Sequence, residues 1–196
     1  MVLQQAYKAQ ESRLSRLEKQ LDSFMASQTQ GRGDIASNSH SAHHVIAREY
    51  DVLVEQKVQG LARATAGVAH GEFPNGVPPT LWLMSRICMV LFGPGKPDGE
   101  TVLAVLGRGR LDQLAPQTAR LCEAALNLRR RSAQTGLPCH WDFEIVPGQL
   151  IDEEWQEAWP SCERTLPGQF VISPAYVVAE QIYSRQRVFT SIPIPN

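Results

Sequence analysis

Cys139 and His140, with Cys162 downstream, are side-chain types that bind zinc or build a thiol nucleophile. Adjacent ligands fit one tetrahedral ion poorly, and no second C-x-x-C or H-x-x-x-H half accompanies them. A Cys–His nucleophile would also need a depressed thiol pKa and a positioned base, which nothing nearby supplies. His40, His43 and His44 are a second set of ligand types, but they sit in a polar stretch with no second shell to hold the rings. The stretch from Gly93 to Gly99 carries glycines and Lys96, as phosphate-binding loops do. In a P-loop the lysine precedes a helix-opening Ser or Thr; here Pro97 follows, which removes an amide donor, so a solvent-exposed turn is expected. Gly107 to Arg110 is too short for a dinucleotide fingerprint. The sequence therefore predicts no catalytic residue, no metal and no cofactor, and a protein that is not an enzyme.

Recognition chemistry has better candidates. From Arg108 to Arg131 there are six arginines (108, 110, 120, 129, 130 and 131) against Asp112 and Glu123, a local net of +4. Arg108, Arg110, Arg129, Arg130 and Arg131 form a candidate contact for nucleic acid or a partner. The segment lacks aromatic residues for base stacking, and cations near a helix end also complement its negative pole. Arg185 and Arg187 alternate with Tyr183 and Phe189 along one face of a strand candidate, giving a second patch of the same kind.

An acidic block follows. Asp142, Glu144, Asp152, Glu153, Glu154 and Glu157 carry six negative charges, with no Lys or Arg from Ala133 through Glu163. Ile151, Trp155 and Trp159 recur at a spacing of four, which predicts a helix with both tryptophans on one face. Such a face either docks on a partner or closes over the domain's own core. Any acidic helix offers paired carboxylates, and nothing here forces their pKa values apart for acid–base work. The basic and acidic segments are also expected to complement each other, within a chain or between chains.

The elements that must position these groups begin with a heptad. Leu3, Tyr7, Gln10, Leu14, Leu17, Leu21 and Phe24 alternate in spacing between four and three. Tyr7, Leu14 and Leu21 take position a, and Leu3, Gln10, Leu17 and Phe24 take d. A single helix has nothing of its own to bury this stripe against, so Leu3, Tyr7, Leu14, Leu17, Leu21 and Phe24 are the expected oligomerisation residues, with a homodimer favoured. Fold-back of the stripe onto its own domain is the other way to cover it. Residues 29–43 are polar and read as a flexible linker, with a globular domain over 44–196.

Within that domain the apolar spacing of Ile46, Tyr50, Leu53, Val54, Val58 and Leu61 predicts a helix over 45–66. Thr80 is expected to cap a helix running through Phe92, apolar nearly all round and hence central, with Trp82, Met84, Ile87, Met89 and Leu91 in the core and Cys88 buried and inert. Residues 101–106 fit a strand or a helical turn equally. Pro116 and Gly136 bracket another helix, with Ala119, Leu121, Cys122, Ala125, Leu126 and Leu128 inward. Strands are expected over 169–173, 176–178 and 182–190, the last two forming a hairpin.

The fold class is thus α+β and mainly helical: a short N-terminal coiled-coil helix, a flexible linker, and a helical domain with a C-terminal β-hairpin. With 43% apolar residues and a net charge of −1, the chain can build a core and has no global pull towards nucleic acid or anionic membrane. The apolar run from Leu81 to Phe92 is too short to span a bilayer. Four scattered cysteines and no apolar leader predict an intracellular location, cytoplasmic or nuclear. The expected function is that of a self-associating protein-interaction protein: an adaptor, regulatory or assembly component whose partners are itself and another protein. The alternative is an oligomeric nucleic-acid-binding protein, such as a transcriptional regulator or a viral nucleoprotein type, using the arginine-rich patches.

Overall fold

The computed structural model describes Lys19 and residues 33–67, 73–107 and 111–191. The heptad residues from Leu3 to Phe24 lie outside the described residues, as do Arg108 and Arg110. Within the described residues the protein is α+β and about 51% helical, with two small sheets following the helices.

Helix α1 (Gly33–Val52) passes directly into a π-helical stretch (Leu53–Val58) and then into α2 (Gln59–Ala66). The predicted helix over 45–66 is present but begins at Gly33, which corrects the linker expectation for residues 33–43. Composition misjudged that stretch because polar contacts hold it, through Ser39, His40 and His43, in place of a large apolar stripe.

Helix α3 (Pro79–Phe92) starts after an extended Pro78, and Pro79 fills the first turn, where a missing N–H leaves nothing unpaired. The expected cap, Thr80, lies inside the helix instead. A Cβ at Gly93 would stand 2.4 Å from the Met89 carbonyl oxygen, so a glycine ends the helix. The central position expected of α3 is correct: it packs on α2, α4, α5 and β3. Met84, Ile87, Cys88 and Leu91 are fully buried, and burial pushes the Cys88 thiol up to about 12. Met89, expected in the core, is instead 45% exposed, and Trp82 is half-buried, edge-on to Phe170.

Residues 101–106 are helical. Asp98 caps α4 (Gly99–Leu106) by accepting from the Thr101 N–H at 2.8 Å. Helix α5 (Leu111–Gln134) begins before Pro116, which therefore lies inside it. Leu121, Cys122, Ala125 and Leu128 form its buried face; Ala119 is exposed.

Six short strands complete the domain: β1 (Cys139–Asp142), β2 (Gln156–Ala158), β3 (Phe170–Ser173), β4 (Ala175–Val178), β5 (Gln181–Ser184) and β6 (Gln186–Phe189). One sheet has the order β1-β4-β5, all antiparallel; the other is β2-β6-β3, with β2 parallel to β6. The expected hairpin exists between β4 and β5, turning through Ala179 and Glu180, both at positive φ (46° and 64°). Two consecutive positive-φ residues suit the right-handed twist of a tight hairpin. The strand expected over 182–190 is two strands, because the chain leaves one sheet and enters the other at Arg185. Pro174 marks the matching crossing between β3 and β4.

The helix expected through Ile151, Trp155 and Trp159 is absent: a turn leads into β2 there. Only Gln156–Ala158 is extended, and ahead of it the Trp155 N–H closes a turn on the Asp152 carbonyl at 2.9 Å.

Candidate interaction site

Helix α1 fastens the helical half of the domain to the sheets, and its two long faces are built from different residues. On the inner face His43 is fully buried between α5 and the β4–β5 hairpin. The donors around it form a chain. The Thr135 hydroxyl donates to the Ser132 carbonyl at 2.7 Å, so its oxygen accepts from His43 Nε2–H at 2.6 Å. That leaves His43 Nδ1 to accept the Tyr176 hydroxyl proton at 2.5 Å. Burial, with the charges of His40 and His44 adding, holds the His43 imidazole below its ordinary pKa. His40 Nδ1 bonds the Tyr183 hydroxyl, and the His44 ring lies 4.7 Å from the Tyr183 ring. The histidine triplet is therefore an aromatic and hydrogen-bonded fastening. With both ring nitrogens engaged, His43 has none free to act as a base or ligand.

Two turns along, a charged cluster repeats the fastening. The Arg187 guanidinium, on β6, donates from Nε to Glu157 at 2.9 Å and from Nη2 to Glu55 at 2.6 Å. Asp51 lies 3.7 Å from the same Nη2 and accepts the Ser184 hydroxyl at 2.7 Å. The Arg187 side chain is only 12% exposed and also covers the Trp159 ring at 5.8 Å. Burial alone would lower the Arg187 pKa, but the Glu157 hydrogen bond and the three carboxylates raise it. Asp51 is displaced upward by burial, against the pull of Ser184 and Arg187. Between these clusters the buried Tyr50 hydroxyl donates to the Pro174 carbonyl at 2.7 Å, and its ring meets Phe92 edge-on.

The outer face of α1 is of another kind. Val45 is 51% exposed and Val52 44%. An open groove of about 610 Å³ runs beside Val45, lined by Ser39, Ala42, Val45 and Ile46 from α1, by Arg131 and Gln134 from α5, and by Thr135 just past its end. Arg131 makes a two-pronged ion pair with Glu49, which fixes that wall of the groove. Elsewhere, Val146, Leu150 and Leu166 are exposed on two loops joined by main-chain bonds from the Gly148 N–H to Gly168 and from the Gly168 N–H to Gln149, both 2.8 Å.

The arginines expected to form a contact patch are divided. Arg129 donates to the carbonyls of Leu91 (3.3 Å) and Gly95 (2.6 Å), tying α5 to the end of α3. Arg131 holds Glu49 and Arg187 holds Glu157, Glu55 and Asp51, while Arg130 and Arg185 are exposed. Among the described residues, Glu157 of the acidic block meets Arg187, and Arg131 of the basic run meets Glu49 of α1. Trp159 is buried in the hydrophobic core, and Ile151 and Trp155 are half-buried. Cys139 and His140 are successive residues of β1 and so face opposite sides.

Sequence reasoning missed Asp51 and Glu55 as partners of Ser184 and Arg187, and Tyr176 and Tyr183 as partners of α1. It also missed Val45 and Val52, whose spacing of seven was a readable signal. No protein-family model, curated protein or solved structure matches the chain.

Proposed function

We propose that this is a non-enzymatic, self-associating protein-interaction protein: an adaptor, regulatory factor or assembly component. The observation that carries the reading is the outer face of α1, where Val45 and Val52 stand exposed, Val45 lining an open groove, on a helix otherwise tightly bound to its domain. The upstream heptad supplies the association. The loop residues Val146, Leu150 and Leu166 offer a separate apolar surface suited to a different protein. A nucleic-acid role draws less support, since Arg129, Arg131 and Arg187 are engaged within the domain.

Light scattering across a size-exclusion peak of the full chain, with the 260/280 absorbance ratio recorded, tests this. A multimer with a protein-like ratio at low and high salt is the expected result. A monomer contradicts self-association, and a multimer carrying nucleic acid that high salt strips away favours the other role.

A further inference from the structure

The two large apolar residues exposed among the described residues of α1, Val45 and Val52, keep the spacing of the upstream heptad. Val45 follows Phe24 by three heptads and Val52 by four, so both fall on position d. Ala42 and Glu49 then fall on a. The domain occupies the other side of the helix: His43, Ile46, Ala47, Tyr50, Leu53 and Val54 are buried, and they fall on b, e and f. From Ala42 to Val52 the fold therefore covers the other side of α1 while leaving Val45, Glu49 and Val52 exposed.

Resting on the self-association reading, we propose that the seam begun by Leu3 to Phe24 is taken up again along α1, where a second copy of this chain lies parallel and in register. Val45 would then meet Val45 of the second copy, and Val52 would meet Val52. The occupant follows from two observations. Two valines and an alanine bury far less than the roughly 1,200 Å² a stable interface needs, so the face works only as a continuation of a longer seam. In the sequence α1 is preceded by the heptad of Leu3 to Phe24, and counting in sevens from Phe24 reaches Val45 and Val52. Glu49 is the one charge on the line, and its pairing with Arg131 of α5 offsets the repulsion two glutamates would otherwise exert across the axis.

Disulfide trapping on the full chain tests the arrangement. Val45→Cys and Val52→Cys are oxidised separately, with Glu153→Cys at an exposed position outside α1 and the wild-type chain, which has four cysteines, as references. Circular dichroism melts confirm that each variant folds, and light scattering gives the mass of the wild type. The expected result is a multimeric wild type in which both valine variants form disulfide-linked dimers at least tenfold more than either reference. A multimeric wild type with trapping no greater than the references, or at only one of the two positions, overturns the parallel seam and leaves self-association standing. A monomeric wild type overturns both.

Discussion

On its inner face α1 commits His43, Tyr50 and Asp51 to partners in or beside the sheets, whereas on its outer face Val45 and Val52 stand exposed. Inside, each polar group is matched by a group more than a hundred positions away in the chain, so the contacts define the tertiary fold. Outside, apolar surface is left at heptad spacing, which contributes nothing to a single domain. One helix can serve both ends because burial takes b, e and f and leaves a and d. The comparison assigns stability to one face and association to the other, and substitutions on each should separate the two properties.

The largest effect is expected at Tyr50→Ala, which empties a fully buried ring site and removes the bond to Pro174; urea titration at fixed protein concentration should show a loss of about 4 kcal/mol. Arg187→Ala comes next. It strands Glu157, Glu55 and Asp51 around a largely buried position, and the same titration should show a loss of roughly 3 kcal/mol. A loss under about 1 kcal/mol there would mean that the carboxylates relax freely into solvent and that the cluster is not a fastening.

The histidine fastening is distinguished by pH. Because the folded state lowers the His43 pKa, the unfolded chain binds the proton more readily. The His43 contribution is therefore present above about pH 6.5 and is lost as pH falls through the lower folded value. Asp51 acts in the opposite sense: its raised pKa makes the folded state the better proton acceptor, so its contribution falls as pH rises out of the acid range. Urea midpoints at pH 7.5 and 5.5 should fall with pH in the wild type, and His43→Gln should shrink that difference. An unchanged difference would assign the titration to other groups. The smallest effect on stability is expected at Val45→Ser, within about 0.5 kcal/mol by the same titration, since its side chain is half in solvent already.

The same division explains what could be read from the sequence. Periodicity found the helix around Tyr50, the central α3 and the β4–β5 hairpin, since each has a local apolar pattern that matches its burial. It failed where long-range partners replace that pattern. Residues 33–43 read as linker because Ser39, His40 and His43 are polar, yet Thr135, Tyr176 and Tyr183 hold them. Arg187 read as a surface contact because its carboxylate partners on α1 are 132 positions away from it or more. Trp155 and Trp159 misled for a different reason, since a turn at Trp155 and the short strand Gln156–Ala158 occupy the stretch their spacing spans. The hairpin turn at Ala179 and Glu180 has neither glycine nor asparagine to mark its positive φ values. The outer face was legible in principle: Val45 and Val52 continue the heptad count, but only their exposure in the fold separates them from Ile46 and Leu53 beside them.

The most direct test of the account is sedimentation velocity of the full chain carrying Val45→Glu and Val52→Glu together, compared with the wild type at the same concentration. A seam along the outer face of α1 would show as a shift of at least half the protein to smaller species, with the melting profile of the domain preserved. A sedimentation profile identical to a multimeric wild type would contradict it, and the association would then lie away from the outer face of α1.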